Sequence, residues 1–214
     1  MPVLGYILTA LAGYLLGSIP TGYLVARQRG VDLRSVGSGN IGATNALRIL
    51  GKTAGVFVLL TDALKGWAAV QIVALLVAQC IPDASPNYAI YLRIAAGVAA
   101  ILGHIYPCWL HFKGGKGIAT SAGVLIALVP WALLIVLGIW IVLLLATRYV
   151  SLGSIAAAFA LPFATWLTTS HDPGLTALTS ALGILAIYKH RRNIRRLLDG
   201  TENRIEFKKK EAAP

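Results

Sequence analysis

The hydrophobic positions of this chain are gathered into long, almost uncharged runs that are separated by short polar segments. A run of about 20 apolar residues is long enough to cross the ~30 Å hydrocarbon core of a bilayer as an α-helix. The recurrence of such runs predicts an all-α integral membrane protein with several spans. The apolar runs cover residues 3–26, 54–81, 88–106, 118–146, 150–169 and 175–188.

The run at 118–146 contains Pro130 in its middle, so it is either one long kinked span or two short spans. The distribution of Lys and Arg decides between them, because these residues concentrate in cytoplasmic loops. With two spans, Arg148 and the basic tail fall on the same side as the arginines that follow the first span. The sequence therefore predicts a seven-transmembrane helical bundle with the N-terminus outside, the C-terminus inside, and short interfacial helices on the cytoplasmic face.

Composition supports a membrane protein, since 57% of the 214 residues are hydrophobic and 13% are charged, against roughly 25% charged in soluble domains. The mean hydropathy is +0.73. No cleavage site and polar mature domain follow the first run, so it is predicted to be a retained span. One polytopic membrane domain is expected over 1–206, with a disordered cytoplasmic tail at 207–214.

The net charge of +11 could also indicate a nucleic-acid-binding protein. The basic residues lie in loops and in the tail, however, so membrane topology explains them and no nucleic acid is expected. The two cysteines, Cys80 and Cys108, form neither a disulfide framework nor a metal-binding pattern. No metal or cofactor is therefore expected.

Several polar or helix-breaking residues lie within the predicted spans. The sequence GSIPTG at 17–22 predicts a broken helix in the first span. Asp62 and Lys65, three residues apart in the second span, predict a structural ion pair that faces the bundle interior; a place in the floor of the active site is the alternative. Arg93 is the one basic residue on the wrong side of the predicted topology.

The segment GHIYPCWLHFKGGKGIAT, residues 103–120, concentrates glycines and lysines before an apolar run, and we call it the glycine-lysine segment. Glycine amides can approach a ligand closely, and a helix N-terminus with nearby cations binds anions. The candidate anion-binding residues are Lys113, Gly114, Gly115, Lys116 and Gly117. This segment is not a nucleotide P-loop, because a glycine replaces the Ser or Thr that follows the lysine there. The alternative is a glycine-rich turn whose lysines anchor it at the membrane surface.

A second polar segment, residues 32–48, follows the first span. It predicts a loop and a short helix over 41–50 that ends at Gly51. The loop and N-cap residues are Ser38, Gly39 and Asn40. The helical residues that share one face are Thr44, Asn45 and Arg48. This face is a second possible anion site, and the alternative is an interfacial helix with a snorkelling arginine.

The third polar segment, 189–200, predicts a basic helix that continues from the last span. Its arginines suit anionic lipid, whereas His190 and Asn193 lie on a semi-apolar face that should turn toward protein. The three segments lie on the predicted cytoplasmic face. They contain many groups that can donate hydrogen bonds to an anion, but no Ser-His-Asp triad pattern, metal motif or carboxylate pair. This inventory indicates a reaction between anionic substrates, one of them lipid-soluble.

These segments resemble the bacterial acyl-phosphate-dependent glycerol-3-phosphate acyltransferase family, the integral-membrane PlsY type. The matching stretches are GSIPTGYLVAR, VGSGNIGATNALRILGK, GHIYPCWLHFKGGKGIAT and HRRNIRRLLDGTE. The resemblance implies a multi-pass protein of the bacterial inner membrane with seven spans and a cytoplasmic-side site. It also implies transfer of a fatty acyl group from acyl phosphate to the 1-hydroxyl of glycerol 3-phosphate, which gives lysophosphatidate and phosphate.

The resemblance also suggests roles for residues. Glycerol 3-phosphate would be held by Ser38, Arg48, Lys116, His190 and Asn193, and of these the catalytic residues would be Ser38, His190 and Asn193. Backbone amides are expected to bind the acyl phosphate or its oxyanion at Gly39, Asn40, Gly114 and Gly115. The other expected substrate-binding residues are Thr44, Asn45, His104, Lys113 and Gly117. Glu202 is expected to be structural and to orient a nearby arginine. His190 is either a general base or, as we prefer from the sequence, a positioning donor.

A transporter or channel for a small phosphate-bearing anion is the alternative function, because it would use the same glycines, broken helices and cations. Two features argue against it: the polar groups cluster on one predicted face, and no pseudo-symmetric halves are visible. A lipid-binding scaffold is a third possibility. The expected partners are glycerol 3-phosphate, acyl phosphate and membrane lipid, and the protein is expected to be a monomer.

Overall fold

A computed structural model describes residues 2–83 and 85–205, and within these ranges every regular element is helical. In chain order the α-helices are α1 (Pro2–Ser18), α2 (Thr21–Arg27), α3 (Ala43–Leu50), α4 (Lys52–Ala68), α5 (Ala74–Cys80), α6 (Tyr88–Ile105), α7 (Ile118–Leu128), α8 (Pro130–Thr147), α9 (Val150–Thr168), α10 (Pro173–Lys189) and α11 (Arg191–Leu198). A π-helical turn joins α4 to α5, and a short 3-10 helix follows α6. The all-α prediction is confirmed for these residues. The tail predicted at 207–214 lies outside them.

Five helical stretches in the described ranges are long and apolar enough to cross a membrane. They are Pro2–Arg27, Lys52–Cys80, Tyr88–Leu110, Pro130–Thr147 and Val150–Thr168. One shorter apolar helix is α7, with 11 residues, and α10 has 17 residues. The prediction of several apolar spanning helices is therefore confirmed, while the count of seven and the orientation of the termini stay predictions.

The first span is broken, as predicted, between α1 and α2. Pro20 has no N–H to donate and its ring disfavours a helical conformation for the residue before it, so α1 stops at Ser18 and α2 starts at Thr21. The carbonyl of Ile19 at this break accepts a hydrogen bond from the Lys65 ammonium at 2.8 Å. A second proline, Pro130, begins α8 directly after α7 ends, so the long run 118–146 forms two helices.

The described residues up to Pro130 form one compact unit. Its central contact is between α1 and α6, where glycines let the two backbones approach closely. A Cβ added at Gly17 would overlap the carbonyl oxygen of Ala100, and one at Gly13 would lie 2.7 Å from that of Ala96. Small residues spaced four apart are a common means of packing helices in membranes. This packing fixes α6, which leads directly into the glycine-lysine segment.

The described residues from Trp131 onward form a second compact unit, in which α9 and α10 pack together. The Trp140 indole donates to the Ser154 hydroxyl at 3.2 Å and so ties α8 to α9. The helix predicted to continue through 189–200 is instead interrupted at His190, where the backbone (φ −94°, ψ 4°) leaves the helical region and α11 starts afresh. A single domain over 1–206 stays a prediction.

Candidate active site

The loop before α3 is organised by the buried side chain of Asn45, which is 1% exposed. Its Oδ1 accepts a hydrogen bond from the Ser38 backbone N–H at 2.9 Å. Its Nδ2 donates to the carbonyls of Leu33 at 3.2 Å and Val36 at 3.1 Å. Because the amide is used within the loop, Asn45 positions Ser38, and direct substrate binding by its side chain does not fit this geometry.

The start of α3 differs from the expected one. Asn40 is not the N-cap: its Oδ1 accepts from the backbone N–H of Gly42 at 2.7 Å and forms a turn, so Gly42 caps a helix that begins at Ala43. Asn side chains favour such local turns because they mimic a backbone carbonyl. Gly39 has a left-handed backbone (φ +69°), and its amide donates to Val36 at 3.1 Å. The predicted helix end at Gly51 is confirmed, with φ +91°.

An ion pair that none of the sequence motifs indicated braces the start of the same loop. The Arg34 guanidinium donates to both carboxylate oxygens of Asp32, at 2.7 Å for the shortest bond, and lies 4.9 Å from the centre of the Tyr23 ring. The hydrogen bonds from the side chain and backbone of Arg34 lower the pKa of Asp32 to about 2. The sequence feature that could have indicated this ion pair is the two-residue spacing of opposite charges in a predicted loop.

The one hydroxyl and the one cation of α3 lie closer to the surface than Asn45. Thr44 and Arg48 are both half-buried and lie one helical turn apart. Neighbours at four-residue spacing share a face, so the prediction that Thr44 and Arg48 lie side by side agrees with the helix. Their binding of substrate stays a prediction.

The glycine-lysine segment folds back onto the end of α6. The amide of Gly115 donates to the carbonyl of His104, and the amide of Gly114 donates to that of Ile105, each at 3.1 Å. These two bonds satisfy carbonyls that the end of a helix leaves unpaired. Since each N–H has one proton to donate, the expectation that the amides of Gly114 and Gly115 bind acyl phosphate needs correction. The Gly39 amide is used internally in the same way.

The anion-binding potential of this segment therefore shifts toward Lys116 and the start of α7. Gly117 has a left-handed backbone (φ +83°) and caps α7, which begins at Ile118. Lys116, which is half-buried, precedes this cap directly, whereas Lys113 is exposed. A helix N-terminus carries partial positive charge, so a cation at its entrance strengthens the attraction for a phosphate group.

Beneath this loop lies the predicted ion pair of the second span. The Lys65 ammonium is 2.8 Å from Asp62 Oδ1, and both side chains are at most 5% exposed. Asp62 Oδ1 also lies 3.6 Å from Nδ1 of His104, which is 6% exposed. The ion pair is confirmed as a structural feature, and it extends to a histidine that the sequence had suggested as a substrate ligand.

In the second unit, His190 lies at the junction of α10 and α11 and is 2% exposed. Its Nδ1 lies 2.8 Å from the carbonyl of Ala186. A carbonyl can only accept, so this contact assigns the proton to Nδ1 and leaves the lone pair of the neutral ring on Nε2. A backbone carbonyl therefore orients the ring, which sequence spacing could not reveal.

Glu202 joins the last motif into one buried network. Its Oε1 accepts from the Asn193 amide at 2.7 Å and from the Ser151 hydroxyl at 2.8 Å, and its Oε2 accepts from Arg196 at 2.6 Å. Burial alone would raise the pKa of Glu202, but these hydrogen bonds outweigh it and lower the pKa. The contacts agree with the predicted structural role. Ser151 lies outside the sequence motifs, and none of them indicated it.

Comparison with known proteins decides the family. A family model described as glycerol-3-phosphate acyltransferase matches residues 7–200. A glycerol-3-phosphate acyltransferase of Geobacter sulfurreducens is 49% identical over 200 residues, which are 94% of this chain and 97% of that protein. One from Endomicrobium trichonymphae is 44% identical over 206 residues, 95% and 98% of the two chains.

The chain belongs to the glycerol-3-phosphate acyltransferase family.

Solved structures of this acyltransferase family agree with the assignment. The crystal structure of PlsY, an integral membrane glycerol 3-phosphate acyltransferase, in its glycerol 3-phosphate form has a TM-score of 0.82 at 40% identity and covers 94% of this chain and 96% of that one. The lysophosphatidic acid form gives 0.79 at 39% identity, covering 94% and 95%. The resemblance inferred from the motifs is confirmed. The roles of individual residues within the acyltransferase stay predictions.

Proposed function

We propose that this chain transfers a fatty acyl group from acyl phosphate to the 1-hydroxyl of glycerol 3-phosphate, releasing lysophosphatidate and inorganic phosphate. The observation that carries this proposal is the likeness, over 94% of the chain, to PlsY in its glycerol 3-phosphate form. The matched residues 7–200 include all three polar segments. The transporter alternative is not favoured, because the family and the relatives carry the acyltransferase name.

The residue chemistry fits such a transfer. Acyl phosphate is an activated mixed anhydride, so its leaving group needs little help from an acid. The enzyme must instead hold two anions together and orient a hydroxyl on a carbonyl carbon, and positioning of this kind supplies up to about 7–11 kcal/mol. Electrostatic stabilisation of the developing oxyanion adds to it. We assign Arg48 and Lys116 to the phosphate group of glycerol 3-phosphate. The residues that we assign to hydrogen bonds with the same substrate are Ser38, His190 and Asn193.

The acyl phosphate site is proposed at a revised position. The amides of Gly114 and Gly115 already donate to carbonyls at the end of α6, so we assign the phosphoryl group of acyl phosphate to the first-turn amides of α7, and Lys116 keeps its assignment to glycerol 3-phosphate. Gly117 supports this assignment, because its left-handed backbone turns the chain into the helix immediately after the lysine. The glycines are then needed for tight folding of the loop and for its close approach to α6.

For the membrane arrangement we infer seven spans, made of the five long stretches together with α7 and α10. Their 11 and 17 residues correspond to about 16 and 25 Å of helix, so both are short for a bilayer and require local thinning or burial against protein. The excess of Lys and Arg near 27–34, 113–116 and 189–196 supports a cytoplasmic location for the three motifs. We therefore assign the protein to the bacterial inner membrane, with its active site on the cytoplasmic side.

The proposed partners are glycerol 3-phosphate, acyl phosphate and membrane lipid, with the protein acting as a monomer and without nucleic acid. The deciding experiment mixes purified protein in detergent with glycerol 3-phosphate and one of three acyl donors: acyl phosphate, acyl-CoA or acyl-carrier protein. We expect lysophosphatidate with acyl phosphate alone, and phosphate release that requires glycerol 3-phosphate. Equal use of acyl-CoA would overturn the donor assignment, and absence of any acylated product would overturn the function.

A further inference from the structure

The first unit contains a buried cluster of three ionisable side chains that the proposed reaction does not use. Asp62 and Lys65 lie on α4 and His104 lies near the end of α6, and their exposed fractions are 2%, 5% and 6%. Ionisable groups at membrane depth are expensive to bury and are usually retained for a functional reason. The partners of the cluster indicate what that reason is.

At one end, the cluster is fixed to the break in the first span. The Lys65 ammonium donates to the carbonyl of Ile19 at 2.8 Å while it pairs with Asp62 Oδ1 at the same distance. Ile19 lies between α1 and α2, and its carbonyl also accepts a hydrogen bond from the backbone N–H of Thr21 at 3.1 Å. Lys65 thus links the Asp62 carboxylate to the backbone break between α1 and α2.

At the other end, the cluster reaches the loop of the glycine-lysine segment through His104. Nδ1 of the ring lies 3.6 Å from Asp62 Oδ1, so one edge of the imidazole faces the carboxylate. The opposite edge faces the loop, because a Cβ added at Gly115 would overlap Nε2. The backbone carbonyl of His104 also accepts the Gly115 amide at 3.1 Å. His104 therefore lies against Gly115 with its ring and hydrogen-bonds to it with its backbone carbonyl, one residue before Lys116.

We infer that His104 is a positioning residue: with the Asp62–Lys65 pair it fixes the glycine loop so that Lys116 is presented to the phosphate of glycerol 3-phosphate. This role rests on the proposed function, and it replaces the direct contact between His104 and substrate that the sequence suggested. The ring fits the role because the fixed carboxylate sets its orientation, which an apolar side chain would lack. Glycine at 115 fits it because any side chain there would displace the ring.

The test compares His104→Asn with His111→Asn. His111 is an exposed histidine of the same segment with a left-handed backbone (φ +52°), a conformation that Asn tolerates well, so the same substitution is made away from the cluster. Steady-state kinetics are measured for each substrate, together with the thermal midpoint in detergent. For His104→Asn we expect the KM of glycerol 3-phosphate to rise at least tenfold while kcat at saturation stays within about threefold, the pattern that loss of uniform binding produces. The control should keep both constants within about twofold.

A merely structural role predicts a different pattern, since a smaller folded fraction lowers kcat and leaves KM unchanged. That pattern, or a KM like that of His111→Asn, would overturn the inference. If His104→Asn does not accumulate as folded protein, Gly115→Ala decides, because it perturbs the same contact from the loop side and should raise the same KM. An inactive parent protein would instead count against the proposed function, so the two failures are distinguishable.

Discussion

The guanidinium of Arg93, on α6, donates a hydrogen bond to the carbonyl of Ala127, in the last turn of α7, at 2.7 Å. A second, longer contact of 3.3 Å joins the same nitrogen to the side-chain oxygen of Gln71 in the π-helical turn. The final carbonyls of a helix have no partner within the helix, and the guanidinium supplies one for Ala127. The arginine that contradicted the charge bias therefore serves as a cap for the C-terminal end of α7.

This relationship predicts that Arg93→Met destabilises the fold without affecting substrate binding. A hydrogen bond to a charged group contributes about 1.5–3 kcal/mol, although relief of the desolvated charge offsets part of it, so we expect a net loss of about 1–2 kcal/mol. Reversible unfolding in mixed detergent measures it. Arg93→Lys, which keeps a charged donor, should lose less. A methionine variant as stable as the parent, or one with a changed KM, would contradict the capping role.

The second prediction concerns the loop that carries Ser38. Asn45→Ala removes three hydrogen bonds and frees the loop, so we expect at least a tenfold loss of kcat/KM among the folded molecules, equivalent to about 1.4 kcal/mol. Asn45→Asp keeps an acceptor for the Ser38 amide but loses the donors to Leu33 and Val36. It should therefore retain more activity per folded molecule than the alanine variant. Parental kcat/KM in folded Asn45→Ala would show that Ser38 does not depend on this side chain.

Much of this architecture follows from local sequence rules. The breaks at Pro20 and Pro130 were predictable because proline lacks the N–H that a helix needs. The Asp62–Lys65 pair was predictable because two opposite charges three residues apart in an apolar helix have few other ways to be stabilised. The family was predictable because its motifs occur in separate polar segments and in the same order along the chain.

The remaining features depend on tertiary contacts that no local pattern contains. The amides of Gly114 and Gly115 looked like ligand donors, but the chain folds back and gives them to carbonyls at the end of α6. Asn45 looked like a binding residue because the sequence places it on one helical face with Thr44 and Arg48. In the structure, the preceding loop covers its side chain and uses its hydrogen bonds. The partner of Arg93 was hidden for the same reason, since Ala127 lies 34 residues away in sequence.

The third prediction tests charge recognition. Arg48→Ala and Lys116→Ala should each reduce kcat/KM for glycerol 3-phosphate by roughly 30-fold to several-thousand-fold, the loss of about 2–5 kcal/mol that follows truncation of one partner in a desolvated charge pair. Lys116→Arg should also be impaired, because a planar guanidinium does not replace a compact ammonium. Lys52→Ala is the control, since Lys52 is exposed at the start of α4. Near-parental rates for both variants at low substrate would refute the phosphate assignment.

The fourth prediction tests the seven-span topology with single cysteines in a background without Cys80 and Cys108, both of which are free thiols. An impermeant maleimide applied to intact cells should label the positions predicted outside, namely Ser85, Trp131 and Asp172. It should label the positions predicted inside only after lysis, namely Ser35, Arg148 and Thr201. All six are exposed, so accessibility to the reagent depends on the membrane. Labelling of Arg148→Cys or Thr201→Cys in intact cells would rule out the proposed arrangement.

The last prediction concerns the chemical role of His190. The contact of Nδ1 with the Ala186 carbonyl changes the preference drawn from the sequence, because a neutral ring held in this way can act on substrate only as an acceptor through Nε2. A donor role through Nε2 would require the charged ring. We therefore expect His190 to accept the proton of the glycerol 3-phosphate hydroxyl as a general base.

A base at His190 makes the rate fall on the acid side, because protonation removes the Nε2 lone pair. His190→Gln should abolish this acid limb of the pH–rate profile and reduce kcat by at least ~100-fold, with little change in the KM of glycerol 3-phosphate. His171→Gln, at an exposed histidine outside the motifs, should keep the limb. If His190 instead acts as a charged donor, the KM of glycerol 3-phosphate should rise as the pH increases, because the ring then loses the donating proton. If His190→Gln keeps the acid limb and raises KM, the limb belongs to a substrate phosphate, and that phosphate takes the proton.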